Sequence, residues 1–193
     1  MDTARTIAGG ELRHAVVLEA VAFAAERLLL SPDWHESAGE VLQHMGIAAG
    51  VSRAYVIENH TDEQGRLLGT VRHEWCASDV GSLLTDPSVS ATPWDDGFGR
   101  WAALHARGDA IVSAIAELPE SERAELEAHG VRSIAEHPIF VGDVWWGAIA
   151  FDDCERERHW TSELDALRAA ATVIGAAVSR QRVEQDQWHA ERR

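Results

Sequence analysis

The side chains with the clearest binding chemistry are aromatic, since the chain holds eight tryptophans in 193 residues. Trp75, Trp94 and Trp101 flank a long polar segment, where indole rings would stack on a planar ligand. His73 falls on the same strand face as Trp75, because alternate residues of a strand point the same way. The alternative for the three tryptophans is structural, with the rings filling the layer between a sheet and its helices. The alternative for His73 is an ordinary exposed or partly buried neutral histidine.

Two further positions complete the predicted ligand-binding set. Trp145 and Trp146 are adjacent on a strand-like segment, so one ring faces the helices and the other the opposite side, and we assign Trp146 to the pocket. Arg132 is the candidate for holding a phosphate or carboxylate, because guanidinium groups bind such anions with paired hydrogen bonds. The alternative for Arg132 is an ion pair with a nearby acidic residue.

The sequence offers little for catalysis or metal binding. Ten histidines are scattered, with no His-x-x-x-His or His-Glu-x-x-His spacing, so no metal site is predicted. The chain also lacks a Gly-x-Ser-x-Gly motif, and no pair of catalytic carboxylates stands out. Cys76 and Cys154 are the only thiols, and nothing near them in sequence marks either as having a low pKa.

Charge restricts the classes of partner. The formal net charge is −15 and all 17 basic residues are arginines, so nucleic acid and anionic membranes are not expected as partners. The absence of lysine excludes a phosphate-loop or Schiff-base lysine. With no signal-like segment and no apolar run of about 20 residues, a cytoplasmic location is expected.

Hydrophobic periodicity predicts helices at both ends of the chain. After a flexible lead-in over residues 1–10, a helix begins at Glu11, and a second follows the break at Ser31-Pro32-Asp33 and ends at Gly50. A long helix begins near Thr161, and its polar continuation over residues 183–193 is predicted to be a tail or connector.

The middle of the chain is strand-rich. Two hairpins are predicted, one from residues 53–58 and 67–76 and one from residues 133–141 and 144–151. Between them lie a long loop and short helices near residues 93–105 and 119–129. This order predicts an α+β fold with one central antiparallel sheet of about five or six strands, the terminal helices on one face and the loop and short helices on the other.

Several segments in this order resemble a GAF domain. Residues 130–134 (GVRSI), 137–143 (HPIFVGD) and 145–151 (WWGAIAF) are similar to the last hairpin of that family, and residues 49–56 (AGVSRAYV) to the start of its first strand. The resemblance extends over about residues 18–182 and places a GAF-like domain at 11–182.

The resemblance implies a sensory or regulatory module. Such domains bind cyclic nucleotides, bilins, haem, amino acids or other small molecules, and they occur beside histidine kinases and diguanylate cyclases. Cyclic-nucleotide binding is disfavoured because the family signature for it contains lysine, and covalent bilin is not expected because residues 125–129 contain no cysteine. Haem ligation by His105 is disfavoured against an ordinary buried histidine, and the cofactor stays unassigned.

The resemblance therefore implies a non-catalytic sensor in two-component or cyclic-dinucleotide signalling. A small molecule or a partner would change the packing of residues 77–108 on the sheet, and terminal helices in a homodimer would pass the change to a kinase or cyclase. The alternatives are a ligand-free dimerisation module and a thiol-dependent redox enzyme using Cys76 or Cys154. The expected ligand-binding residues are Trp75, Trp94, Trp101, Arg132, Trp146 and His73.

Overall fold

The computed structural model describes residues 2–89 and 91–192, which form one central sheet with helices on both faces. The helices of the described residues are α1 (Asp2–Leu30), α2 (Trp34–Ala49), α3 (Gly99–His105), α4 (Glu120–Ala128) and α5 (Ser162–Glu191). The strands are β1 (Arg53–Thr61), β2 (Leu67–Cys76), β3 (Thr92–Pro93), β4 (Ile111–Ala114), β5 (Ser133–Val141) and β6 (Val144–Asp153).

The sheet is antiparallel, with strand order β3-β2-β1-β6-β5-β4. Each predicted hairpin forms, and the two are joined along their inner strands β1 and β6. The pairing places Arg53 opposite Asp152 and Tyr55 opposite Ala150. The predicted α+β fold with about five or six antiparallel strands is confirmed.

One face of the sheet carries α1, α2 and α5, and the main core lies between them. Ala54 and Val56 of β1 face this core together with Phe151 of β6. Helix α5 sits close to β5, since a Cβ added at Gly175 would lie 2.2 Å from the Phe140 carbonyl oxygen. Glycine at this position is therefore required by the close approach of helix and strand.

The opposite face is covered by α3, α4 and the segment between β2 and α3. A second apolar cluster forms there around Trp94, Trp101 and Ile134. Glu122 of α4 is 3% exposed and accepts hydrogen bonds from Arg100 Nη2 at 2.6 Å and from Trp101 Nε1 at 2.7 Å. This carboxylate joins α4 to α3 on the outer side of the cluster.

Three boundaries differ from those that the sequence predicts. Helix α1 already begins at Asp2, so residues 2–10 of the predicted lead-in lie in the helix, and α5 continues through most of the predicted tail to Glu191. Helix α3 begins at Gly99, because Gly97 adopts a left-handed φ of 93° that interrupts a helix. In the part of the chain that the structure describes, no helix combines the length and apolar character needed to cross a bilayer.

Candidate functional site

A pocket lies between the outer face of the sheet and the segment that covers it. Its volume is about 120 Å³. Apolar side chains form its walls: Ile57, Val71, Leu83, Val89, Trp94, Phe98, Trp101, Leu126, Val131 and Ile134. A dry cavity of roughly 150 Å³ lined by such residues holds a benzene molecule, so this pocket matches a ligand body of about one ring.

The two tryptophans in the pocket wall present apolar surface. Trp94 Nε1 donates to Asn59 Oδ1 at 2.9 Å, and Trp101 Nε1 donates to Glu122 Oε2 at 2.7 Å. Since both indole N–H groups are already bonded to protein oxygens, neither needs a polar atom from a ligand. Trp94 is held further by Trp145, whose ring centroid lies 5.1 Å away.

The floor of the pocket is polar and buried. Arg53 and Asp152, paired across β1 and β6, are 1% and 0% exposed and both line the cavity. Arg53 Nη2 donates to the His129 carbonyl oxygen at 2.9 Å, and Tyr55 Oη donates to Asp152 Oδ1 at 3.2 Å. A buried guanidinium and carboxyl thus meet at one end of the two central strands.

Hydrogen bonding on this floor is incomplete. Among the described residues, Arg53 Nε and Nη1 and Asp152 Oδ2 find no hydrogen-bond partner. Arg53 Nη1 does lie 3.3 Å from Asp152 Oδ2, which makes an ion pair without hydrogen-bond geometry. A buried polar atom left without a partner costs about 1–3 kcal/mol, and more when it is charged, so the floor would be stabilised by a polar ligand group.

The electrostatics of the floor follow from burial. Burial raises the pKa of Asp152 to about 7, although the neighbouring Arg53 acts to lower it. Burial also raises the pKa of Tyr55 well above its ordinary value, so its hydroxyl stays neutral. Burial acts to lower the pKa of Arg53, but Asp152 and other neighbours outweigh it and the pKa is raised. The floor therefore combines a permanent cation with a carboxyl group that changes charge near neutral pH.

The covering segment is held at two points, one on strand β2 and one at the end of α4. Glu74 of β2 accepts hydrogen bonds from the Leu83 backbone N–H at 2.8 Å and from Ser82 Oγ at 2.6 Å. On the other side of the pocket, His129 Nε2 lies 3.5 Å from Asp86 Oδ2. These contacts hold Leu83 over the pocket and connect the covering segment to the end of α4.

The structure does not bring the six predicted ligand-binding residues together. Trp94 and Trp101 line the pocket. Trp75, Trp146 and His73 lie on the helix-bearing face of the sheet.

Trp146 is predicted to line the pocket, but it packs in the main core. Its neighbour Trp145 points to the other face of β6 and packs on the pocket side, against the cluster around Trp94. Arg132 is exposed and is not among the pocket-lining residues.

The residues that sequence reasoning missed are Arg53, Tyr55 and Asp152. A signal was present, because Arg53 is a charged residue at the start of the apolar β-type run Ala54–Ile57. The partner could not be named from the sequence, since Asp152 is 99 positions away and only the register of β1 against β6 brings the two together.

Two other candidate groups are occupied or unreactive. His105 is fully buried, with Nε2 2.7 Å from Glu136 Oε1 and Nδ1 3.0 Å from the Asp109 carbonyl oxygen, so neither ring nitrogen is available to a haem iron. Burial and the nearby Glu74 raise the pKa of Cys76 to about 12. Burial also raises the pKa of Cys154, so both thiols are poor nucleophiles at neutral pH.

Comparison with known proteins is consistent with this arrangement. Residues 33–178 match the model of the GAF domain. The chain is 39% identical over 176 residues to the methanogenesis regulatory histidine kinase FilI of Methanothrix harundinacea, a match that covers 91% of this chain and 20% of that protein. The chain therefore spans about a fifth of the length of that curated relative.

Solved structures show the same fold at low sequence identity. The phycocyanobilin-bound GAF domain of a cyanobacterial phytochrome superposes with a TM-score of 0.75 at 18% identity, covering 87% of this chain and 96% of that one. The chromophore-binding domain of a bacteriophytochrome from R. palustris gives 0.74 at 15% identity, covering 87% and 62%. With its sequence, its six-stranded sheet and its matched family model in agreement, the chain belongs to the GAF domain family.

Proposed function

We propose that this GAF domain is a small-molecule sensor that regulates a histidine kinase. The observation that carries the proposal is the pocket, in which apolar walls surround a buried polar floor with unpartnered atoms. The unpartnered atoms of Arg53 and Asp152 belong to residues that line this pocket, where a polar ligand group would satisfy them. The similarity to a regulatory histidine kinase supports kinase control as the output.

The route from pocket to output runs through the sheet to α1 and α5. Strand β5 contributes Ile134 to the pocket, and its other face packs against α5, where Gly175 meets the Phe140 carbonyl oxygen. Arg180 of α5 then donates to the carbonyl oxygens of Leu28 and Leu29 at the end of α1, each at 2.9 Å. The two helices are thereby coupled and would move together.

The proposal includes a homodimer that pairs through α1 and α5, and each helix carries exposed apolar side chains. Val16 and Leu18 of α1 are 42% and 50% exposed, and Val183 and Trp188 of α5 are 52% and 50% exposed. A ligand would act by binding one arrangement of the paired helices more tightly than another, since only differential affinity shifts an equilibrium. A monomer in sedimentation equilibrium at tens of micromolar would remove this part of the proposal.

Covalent bilin binding and thiol catalysis fit this site less well than reversible binding of a small molecule. Residues 125–129 contain no cysteine for covalent attachment of a bilin. Thiol redox catalysis is disfavoured by the raised pKa values of Cys76 and Cys154. The domain by itself is accordingly proposed to be non-catalytic.

Binding can be tested with a chemically mixed set of ring-sized molecules. Saturation-transfer NMR on the wild type should detect binders, and Leu126→Trp, which extends a side chain of the pocket wall into the cavity, should abolish their signals. Leu84→Trp is the matched control, because Leu84 is 49% exposed and lies outside the pocket. Binders that are unaffected by Leu126→Trp, or a complete lack of binders, would contradict the sensor function.

Signal output needs a separate experiment. The chain can replace the matching segment of the Methanothrix histidine kinase, and autophosphorylation of the chimera can be followed with and without a binder found by NMR. A change in rate that disappears in the Leu126→Trp chimera supports the proposal. An unchanged rate with a binder at saturating concentration would show that the pocket is not coupled to the kinase.

A further inference from the structure

We infer that the pocket selects a small monocarboxylate with an apolar body of about one ring, seated with its carboxylate on Arg53. The inference rests on the proposed sensor function and names the ligand class of the same pocket. It depends on three features of the site: the Arg53 donors that lack a hydrogen-bond acceptor, the protonation of Asp152 and the shape of the walls.

Arg53 supplies the recognition group. Its Nη2 is used by the His129 carbonyl oxygen, whereas Nε and Nη1 find no hydrogen-bond acceptor in the described part of the chain. The side chain is 1% exposed, so bulk water does not solvate these donors. An ionised carboxylate is the acceptor that guanidinium donors bind most strongly, because charge-assisted hydrogen bonds exceed neutral ones.

Asp152 allows an anion to approach. In its protonated form this carboxyl group is neutral, and Arg53 is then a buried cation whose charge a ligand anion would balance. Protonated Asp152 Oδ2, the third unpartnered atom, can also donate a hydrogen bond to the ligand. The pKa of Asp152, which burial raises to about 7, makes the protonated form accessible at neutral pH.

The charged and titratable groups around Asp152 come from β1, β2, β5 and the residue after β6, and Glu125 and His129 at the end of α4 line the same pocket. Arg53 and Tyr55 face it from β1, Glu74 from β2 and Glu136 from β5, and Cys154, which follows β6, lies beside Arg53. Of these, Tyr55 and Cys154 stay neutral at pH 7 because burial raises their pKa values. Glu74 and Glu136 act to raise the pKa of Asp152 and therefore also favour its protonated form.

The walls restrict the rest of the ligand. Both wall indoles have their N–H groups bonded to Asn59 and Glu122, so the body of the ligand meets apolar surface. The volume of about 120 Å³ admits a single ring or a branched chain of similar size. Benzoate is therefore a suitable probe, with benzamide and benzylamine as neutral and cationic analogues of the same shape.

Titration calorimetry with these three probes tests the ligand class. Benzoate should bind more tightly than benzamide by about tenfold or more, because benzamide lacks the charge that balances Arg53. Benzylamine should be the weakest, since Arg53 repels it. Equal binding of benzoate and benzamide, a preference for benzylamine, or no binding of benzoate at millimolar concentration would each overturn the inference.

The pH dependence gives a second, independent result. Carboxylate binding favours protonated Asp152, so benzoate affinity should rise several-fold as pH falls from about 8 to about 6. Asp152→Asn, which is neutral at every pH, should bind benzoate and should lose this dependence. A zwitterionic amino acid would instead place its ammonium group on ionised Asp152, so its affinity would rise with pH. An affinity for benzoate that rises with pH would overturn the monocarboxylate inference and favour a zwitterionic ligand.

A double variant separates the ligand class from the sensor function. Arg53→Met with Asp152→Leu removes both buried charges at similar volume, a change that proteins often accept without loss of stability. This variant should lose benzoate and keep neutral ring-sized binders. If the wild type binds neutral molecules in a manner sensitive to Leu126→Trp but does not prefer benzoate, the carboxylate inference fails while the sensor function stands.

Discussion

Replacing Glu122 by alanine is expected to lower the free energy of unfolding by about 3 kcal/mol. The carboxylate is 3% exposed and is the acceptor for Trp101 Nε1, which is itself buried in the wall of the pocket. Leaving that N–H without a partner costs about 1–3 kcal/mol, and the lost bond is charge-assisted. The pair with Arg100 adds less than about 1 kcal/mol, because the Arg100 side chain is 49% exposed and screened by water.

Urea denaturation followed by tryptophan fluorescence measures this effect. Glu122→Gln should cost less, about 1 kcal/mol, because its amide oxygen still accepts from Trp101. Glu120→Ala is the control, since Glu120 is exposed in the first turn of the same helix. A change below about 0.5 kcal/mol for Glu122→Ala would refute the argument that this carboxylate holds the wall of the pocket.

The same carboxylate has a predictable response to acid. Burial acts to raise the pKa of Glu122, but Arg100 and Trp101 outweigh it and the pKa is lowered from 4.5. A carboxylate with a lowered pKa stabilises the fold fully above its unfolded pKa, and the stabilisation is lost as pH falls through the folded pKa. The stability difference between wild type and Glu122→Gln should therefore shrink below about pH 4.5.

Two further predictions concern the helices that we propose carry the signal. Gly175→Ala should destabilise the fold by about 2 kcal/mol or more in urea, because its Cβ would lie 2.2 Å from the Phe140 carbonyl oxygen. Gly39→Ala, which meets no atom within 4 Å on α2, should instead stabilise it by about 0.5–1 kcal/mol, and equal effects would contradict this contrast. Arg180→Met should speed hydrogen exchange at the end of α1, since its guanidinium bonds are lost, whereas the exposed Arg182→Met should leave exchange unchanged. Unchanged exchange in Arg180→Met would show that the two helices are not coupled there.

The elements of the fold were predictable because their signals are local. Period-two and period-3.6 patterns, together with turn residues such as Gly142, locate the hairpins and most helices within a few residues. The two-residue strand β3 carries no such signal, since Thr92 and Pro93 join the sheet only through the backbone of β2. The predicted short helix therefore begins near residue 93, whereas α3 begins at Gly99.

The site was predictable only in part, for a geometric reason. Alternation shows that Trp145 and Trp146 face opposite ways, but it does not show which face carries the helices. That face is set by tertiary packing, and it places Trp146 in the core. Arg53 and Asp152 depend on the register of two distant strands, which no local pattern contains.

The central strand β1 has two separate roles on alternate residues. Arg53 and Tyr55 form the pocket floor, whereas Ala54 and Val56 pack beneath the helices. Under the proposed sensor function, substitutions at these two odd-numbered positions would change which molecule is recognised without altering the surface on which the helices rest. In the proposed sensor, this alternation would let ligand recognition change while the packing that carries the output stays the same.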